Sequence, residues 1–270
     1  MKKISAVIID TYSDKKFASI AIKMVQRLPI VGTIFSFSNS PFEDLENLEF
    51  IKIPPIHTNN EYGKIIFENL PEIVNDDHVL VFQWDGFPLN PDKWTDEFLN
   101  YDYIGAPTGN EVGNGGFSLR SKRLLQTLKN LKITVDLNNP FDQPEDRIIC
   151  SHKRAILEES GIKFAPLSIA EKFSLEWGPP TKNVFGFHAP FNLPLFLNEQ
   201  DLIKYADNIS SRISSPISMV LYLESCIKKN MHELLRITLH NFQNKPNLFR
   251  AYQYLLATNP NHPLLSQFNR

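Results

Sequence analysis

The sequence is poor in the features that identify several classes of protein. Among its 270 residues are two cysteines, Cys150 and Cys226, which lack metal-site spacing and lie in apolar, helix-like segments. We therefore expect two buried free thiols, as in a protein of the reducing cytosol. The apolar run at the start stops at Asp10, too short for a signal peptide, and no segment has the roughly 20 apolar residues that span a bilayer. These absences predict a soluble, cytoplasmic protein and leave room for peripheral membrane association.

An excess of one charge is absent as well. The chain has 28 basic and 30 acidic residues and a net charge of −2, so neither nucleic acid nor an anionic membrane is indicated as a partner. Neither a GxGxxG nor a Walker A motif is present, which argues against a standard dinucleotide site or P-loop. A negatively charged small ligand would have to be bound locally, by a metal ion or by helix N-termini.

The first part of the chain alternates strand-like and helix-like segments. Apolar, β-branched runs and helical periodicity predict strands at 4–9, 31–37, 49–53 and 78–84, and helices at about 15–28 and 60–70. This alternation predicts an α/β fold with a mainly parallel, mixed sheet and helices on both faces. Shorter strands are expected at 101–105, 115–119 and 162–170, with helices beginning near Ser121 and Glu145.

The last part of the chain has a different composition. Glycine is absent beyond residue 199, and helical periodicity is found at about 216–228, 231–243 and 247–257. We therefore expect a domain at 1–198 followed by a small all-helical unit at 199–270. That unit could pair two copies of the chain into an oligomer, hold an acceptor or cover the sheet.

In a mainly parallel sheet, ligands bind beyond the carboxyl ends of the strands. Two loops occupy that position here, 10–13 after the first strand and 83–87 after the strand at 78–84. Asp85 in the second loop either binds a ligand in the crevice or is a turn residue of an Asp-Gly pair. His188, among aromatic residues and prolines, is either structural or a ligand for a transition metal.

Three further features have equally open interpretations. Glu145 and Asp146 either complement the dipole of a helix start or supply a general base. Gly115 and Gly116 belong either to a plain loop or to a backbone segment that approaches a ligand closely. The basic residues Arg120, Lys122 and Arg123 either bind phosphate or mark an exposed helix start.

The order of these features along the chain resembles the core of glycosyltransferases with the GT-A fold. The segments QWDGFPLNP, YDYIGAP, NGGFSLRS, PEDRIIC and FGFHAPF more specifically resemble those of an uncharacterised family of bacterial and fungal glycosyltransferases, over about residues 4–192. The resemblance implies transfer of a hexosyl or related group from a nucleotide-sugar donor to a hydroxyl of a glycan or glycoconjugate, as in polysaccharide biosynthesis. It also implies inversion at the anomeric carbon and a need for Mn²⁺ or Mg²⁺.

The same resemblance implies individual roles. Asp85 matches the second acid of the DxD-type motif and would share the metal with His188, whereas Gln83 replaces the first acid. Asp146, beside Glu145, matches the catalytic base. The implied donor-binding residues are Thr11, Tyr12, Tyr62, Lys64, Gln83, Trp84, Asp85, Gly115 and Gly116.

Two other classes of function remain open. The missing first acid would suit a catalytically silent domain that binds a nucleotide or glycan, or acts as a scaffold. A metal-dependent hydrolase or nucleotidyltransferase would need a denser carboxylate cluster near Asp85.

A shared metal site requires the side-chain tips of Asp85 and His188 to lie within about 8 Å of each other, because metal–ligand bonds are near 2 Å.

Overall fold

The computed structural model describes residues 3–43, 45–138, 141, 143–181, 183–240, 245–259 and 265. The chain forms two compact units, Met1–His188 and Ala189–Arg270. The domain boundary expected at residue 198 stays a prediction.

The described strands all lie in the first unit. They are β1 (Ile4–Ile9), β2 (Val31–Ser38), β3 (Leu48–Lys52), β4 (His78–Phe82), β5 (Phe87–Pro88), β6 (Tyr103–Ile104), β7 (Pro107–Thr108), β8 (Glu111–Val112), β9 (Phe117–Ser121), β10 (Ser174–Leu175) and β11 (Gly186–Phe187). Within the described ranges, six of them form one sheet in the order β3-β2-β1-β4-β9-β6. Strands β3, β2, β1 and β4 run parallel, and β9 is antiparallel to both β4 and β6. A smaller sheet has the order β10-β11-β5, and β7 pairs with β8.

The helices flank this sheet and make up the second unit. In the first unit they are α1 (Lys16–Gln26), α2 (Asn59–Lys64), α3 (Leu70–Ile73), α4 (Lys122–Asn130), α5 (Glu145–Arg147), α6 (Arg154–Glu159) and α7 (Leu167–Phe173), with π-helical turns at Ile65–Asn69 and Ile148–His152. In the second unit they are α8 (Leu193–Phe196), α9 (Glu199–Ile203), α10 (Ala206–Arg212), α11 (Pro216–Lys228), α12 (His232–Leu239) and α13 (Pro246–Thr258). The predicted α/β class with a C-terminal helical unit is confirmed. Among the described residues no helix is long and apolar enough to cross a bilayer.

The core lies around the two central strands. Every residue of β1 and β4 is buried, which is typical of parallel strands covered on both faces. On one face, residues such as Val7 and Val81 pack against Tyr62, Ile66 and Leu70 of the helical segment 59–73. Because the side chains of a strand alternate, Ile8 and Leu80 point to the opposite face. This burial explains why continuous apolar runs predicted both strands correctly.

The registers of the two sheets bring distant segments to one edge. Phe117 pairs with Phe82 in the antiparallel β9–β4 ladder, so the glycines that precede β9 lie beside the turn that follows β4. Phe187 pairs with Phe87 in the antiparallel β11–β5 ladder, so the residue after β11 lies beside the residue before β5. Both ladders therefore converge on residues 83–86.

Some segments differ from the sequence expectation. The strand expected at 162–170 is wrong: Phe164 makes a single bridge to Tyr103, and α7 begins directly after Pro166. Proline is favoured at a helix start, and its missing N–H weakens a strand. In the second unit, α11 has the expected bounds and α12 ends at Leu239, while residues 241–243 of the expected helix lie outside the described residues. The buried, free state expected of Cys150 and Cys226 is confirmed.

Shortening a side chain of the central strand should destabilise the protein. We expect Leu80→Ala to lower the free energy of unfolding by about 2–5 kcal/mol, because Leu80 is fully buried and its loss leaves a cavity. Urea denaturation measures the change. The control is Phe50→Ala on edge strand β3, where the side chain is 39% exposed and a much smaller loss is expected. Equal losses in the two variants would contradict the placement of the core.

Candidate functional site

The turn after β4 places an acid inside the protein. The backbone N–H groups of Gln83 and Gly86 each donate to the other residue's carbonyl oxygen at 3.1 Å, which leaves Trp84 and Asp85 at the centre of a tight turn. An Asp in an ordinary Asp-Gly turn is exposed, whereas Asp85 is 6% exposed. Trp84 packs edge-on against Phe17 of α1, with the ring centroids 6.2 Å apart. The turn therefore directs Asp85 into the protein.

His188 lies against this turn. Its Nε2 atom is 3.2 Å from Oε1 of Gln83 and 3.8 Å from Oδ1 of Asp85. The β11–β5 register accounts for this proximity, and the backbone N–H of His188 donates to Leu175 at 2.9 Å. The structure thus brings together the two residues predicted to share a metal, well within the required 8 Å.

A second carboxylate faces the other side of the imidazole. Oε1 of Glu176 is 3.8 Å from Nδ1 of His188. Leu175 pairs with Phe187 in the parallel β10–β11 ladder, so the residues that follow, Glu176 and His188, emerge side by side. Sequence reasoning missed Glu176; its only signal was an acid after a short apolar segment, the same signal that identified Asp85.

The two carboxylates control the protonation of His188. Burial disfavours the charged imidazolium, but the nearby Asp85 and Glu176 outweigh it and raise the pKa of His188 to about 9. The charge of Asp146 adds to this shift, so Asp146 also lies within electrostatic reach of the ring. In the absence of a bound metal ion, His188 is therefore a cation between two acids at neutral pH; a metal ion that bound it would have to displace its Nε2 proton.

The glycine loop before β9, formed by Gly115 and Gly116, separates His188 from the acidic pair Glu145 and Asp146. A Cβ atom at Gly116 would collide with the imidazole of His188, and one at Gly115 would collide with the carboxylate of Glu145. The N–H of Gly115 donates to Oδ2 of Asp146 at 2.8 Å. These glycines are required because protein side chains approach the backbone from both sides.

Asn114 connects the same loop to Glu176. It has a φ of +54°, and its side-chain amide donates to Oε2 of Glu176. Its Oδ1 accepts from the N–H of Gly116 at 3.1 Å, and its carbonyl oxygen accepts from the hydroxyl of Tyr103 at 3.1 Å. Both glycine N–H groups therefore already donate to protein acceptors.

The two acids of the pair differ in their surroundings. Glu145 is 5% exposed, and its Oε1 accepts from Nη2 of Arg120 at 2.6 Å, whereas Asp146 is only half-buried. Arg120 is fully buried in β9, so the expectation that it binds phosphate or lies at an exposed helix start is wrong. Arg123 pairs instead with Asp102.

The other predicted donor-binding residues lie in different places. Tyr62 is buried at the site, where desolvation and the nearby Glu145 raise its pKa. Lys64 points to solvent, with its Nζ 3.9 Å from Glu68. Thr11 and Tyr12 follow β1; Oγ1 of Thr11 accepts from the N–H of Ile56 at 3.0 Å, and Tyr12 is 36% exposed. The structure therefore brings Tyr62 to the acids and leaves Lys64 turned away from them.

Two phenylalanines that could have lined the crevice belong to the core. Both are fully buried: Phe87 packs against Phe187, and Phe117 packs against Phe173 and Phe185. Because they are fully buried, they cannot stack on a sugar. Trp84, in the turn itself, keeps partial exposure.

The pair Asp85 and His188 fits a divalent cation by its spacing and donor types. Two donor atoms on one ion, with bonds near 2 Å, lie at most about 4 Å apart, and these lie 3.8 Å apart. A carboxylate and an imidazole suit Mn²⁺, and Glu176 at the other ring nitrogen resembles the carboxylates that orient metal-bound histidines. Among the described residues, no group of three or more His, Cys, Asp or Glu side chains could hold a metal ion. The remaining ligands would have to come from phosphate or water.

Comparison with known proteins identifies the family. The family described as "Protein of unknown function (DUF5672)" matches residues 49–188, slightly more than half of the chain. The chain belongs to this family. The matched range contains the whole arrangement from Tyr62 to His188 and begins after Thr11 and Tyr12. No curated protein sequence matches the chain.

Solved structures show distant similarity. A mannosyltransferase from Pyrobaculum calidifontis, in complex with GDP-Man and Mn²⁺, has a TM-score of 0.44 and 9% identity over 100% of this chain and 79% of that chain. A glycosyltransferase involved in glycosylation of the major capsid of PBCV-1 has a TM-score of 0.46 and 14% identity, over 69% and 92% of the two chains. A 4-diphosphocytidyl-2C-methyl-D-erythritol synthase from Anaerococcus prevotii DSM 20548 has a TM-score of 0.38 and 13% identity, over 61% and 85%. Because these identities and scores are low, function must be argued from the site itself.

The raised pKa of His188 predicts a pH-dependent stability in the absence of added metal. The folded-state pKa of about 9 exceeds the ordinary value of 6.5. The protonated imidazole therefore stabilises the folded state fully below pH 6.5, and this contribution to the free energy of unfolding is lost as the pH rises through 9. We expect the wild type to lose up to about 3 kcal/mol relative to His188→Gln over this interval. Urea denaturation with a chelator at each pH measures this difference. The exposed His232→Gln is the control, and a wild-type advantage over His188→Gln that is equal at both ends would contradict the assignment.

Proposed function

We propose that this chain is an inverting, divalent-metal-dependent glycosyltransferase that uses a nucleoside-diphosphate sugar. The observation that supports it is the convergence of Asp85 and His188, 3.8 Å apart, with Asp146 hydrogen-bonded to the adjoining glycine loop. This edge follows the carboxyl end of β4, where open α/β sheets bind ligands. The order of these residues along the chain also matches the glycosyltransferase resemblance in the sequence.

Asp85 and His188 would form the donor end of the site. When bound there, Mn²⁺ or Mg²⁺ would act as a Lewis acid that offsets the charge developing on the leaving diphosphate. Glu176 would keep the imidazole oriented from its Nδ1 side. Gln83 replaces an acid found in the DxD-type motif, so the protein would contribute one carboxylate and rely on the donor phosphates for other ligands.

Asp146 would act as the general base. It is half-buried, and its Oδ2 is held by the N–H of Gly115. The acceptor hydroxyl would lose its proton to this carboxylate as its oxygen bonds to the anomeric carbon, and the bond from that carbon to the diphosphate would break. One such displacement inverts the anomeric configuration. The acceptor would be a glycan or glycoconjugate hydroxyl.

Removing Asp85 should abolish metal-dependent donor binding. We expect Asp85→Ala to lose the Mn²⁺-dependent rise in melting temperature with nucleoside diphosphates or their sugars, because binding to the native state alone raises its stability. Differential scanning fluorimetry with and without Mn²⁺ measures it. Asp92→Ala, at an acid with a 74% exposed side chain, is the control. Undiminished Mn²⁺-dependent binding by Asp85→Ala would rule out its metal role.

Replacing Asp146 should separate catalysis from binding. Asn retains an oxygen that can accept from Gly115 but cannot take a proton, so we expect Asp146→Asn to lose about 10²- to 10⁴-fold in turnover. Its affinity for the nucleotide should stay within about twofold. Release of nucleoside diphosphate from a panel of sugar donors, with water as a slow acceptor, measures turnover. A wild-type rate in Asp146→Asn would disprove the base assignment, and a wild type that binds donors without turnover would favour a silent binding domain.

A further inference from the structure

Arg120 is a buried cation beside the site. It is fully buried in β9, where an uncompensated charge would be strongly destabilising. Its Nη2 donates to Oε1 of Glu145 at 2.6 Å and to the carbonyl oxygen of Gly115 at 3.3 Å, and its Nε donates to Oγ of Ser118 at 3.0 Å. Since apolar residues can often replace a buried ion pair without loss of stability, its presence here requires another explanation.

The contacts of Arg120 close into a ring. Arg120 holds Glu145 through its side chain, and Glu145 is followed along the chain by Asp146. The carboxylate of Asp146 accepts from the N–H of Gly115, whose carbonyl oxygen accepts from Arg120. Ser118 adds a hydrogen bond of 2.9 Å to the same carbonyl. We call the set Arg120, Glu145, Asp146 and Gly115 the Arg120 ring.

The interior of this ring is filled. A Cβ atom on Gly115 would collide with Glu145 and would lie 2.8 Å from Nη2 of Arg120 and 3.2 Å from Cβ of Asp146. No larger residue fits at this position without displacing one of the charged groups. The ring therefore holds the two acids and the loop in a single arrangement.

The two acids cannot have equal roles in such an arrangement. Glu145 is buried and directed at Arg120, whereas Asp146 is half-buried and reaches the loop beside His188. We propose that Arg120, Glu145 and Gly115 are positioning residues that fix the carboxylate of Asp146 through the Arg120 ring, and that Glu145 does not act on the substrate. This proposal rests on the proposed function, because it assigns Asp146 the chemical step.

Opening the ring should lower kcat and leave donor binding intact. Glu145→Gln keeps an oxygen toward Arg120 but removes the charge; Arg120→Lys keeps the charge but loses the planar fork. Gly115→Ala places a methyl group where Glu145 and Arg120 already lie. Since a displacement of about 1 Å can reduce a rate by about 100-fold, we expect kcat to fall by about 10- to 100-fold in each, with the donor KM within about twofold. The double variant Glu145→Gln/Gly115→Ala should fall little further than the worse single variant, because both changes open one ring.

A neighbouring ion pair provides the matched control. Arg123 lies three residues after Arg120 and pairs with the buried Asp102, but its own side chain is 54% exposed. Arg123→Lys should leave kcat unchanged when assayed well below its melting temperature. An unchanged kcat in Glu145→Gln and Arg120→Lys would overturn the proposal and make the ring purely structural. Additive losses in the double variant would also overturn it.

Hydrogen exchange at the Gly115 amide separates this proposal from the proposed function. In the ring this N–H donates to Asp146, so we expect strong protection in the wild type and faster exchange in Glu145→Gln and Arg120→Lys. Unaltered exchange in both variants would contradict the positioning role of the Arg120 ring even if kcat fell, since Glu145 would then affect turnover in another way. If the wild type turns over no donor, the proposed function fails, whereas loss of protection would still establish that Arg120 and Glu145 position Asp146.

Discussion

The candidate site depends on one constraint, the position of residues 83–86 between two sheets. Strand β4 on one side of this turn belongs to the large sheet, and β5 on the other side belongs to the small one. The large sheet brings the glycine loop through β9, and the small sheet brings His188 through β11. A shift of one residue in either register would turn every side chain of that strand to the opposite face and separate the acids from the imidazole.

Charge compensation determines which side chains occupy this edge. Arg120 is enclosed with Glu145, and His188 lies between Asp85 and Glu176. In both cases a cation is held where its hydration is reduced, so neighbouring carboxylates are needed to stabilise it. The glycine loop lies between the two clusters and contacts both, through Gly115 on one side and Gly116 on the other. The electrostatics of the His188 cluster and of Glu145 and Asp146 are therefore linked through a very short stretch of backbone.

The sequence predicted the elements whose pattern is local. Strands β1 and β4 are continuous apolar runs, and Asp85 was identifiable because it follows such a run. Glu176 was missed because β10 has only two residues and leaves no periodicity to detect. Arg120 was misinterpreted because it precedes other basic residues at a helix start; its burial depends on Glu145, which is distant in the sequence. The prediction of a strand at 162–170 was wrong because it gave the apolar composition of this segment more weight than Pro166.

The parallel pairing of β1 between β2 and β4 affects how the family should be delimited. The range shared with the family starts at residue 49 and so omits β1, β2 and α1. A polypeptide limited to that range would expose one edge of β4, with its unpaired backbone N–H and carbonyl groups, and would lose Val7, Ile9 and Phe37 from the core around Val79 and Val81. Such an edge promotes aggregation. The limits of recognisable sequence similarity in this family are therefore narrower than those of the unit that can fold.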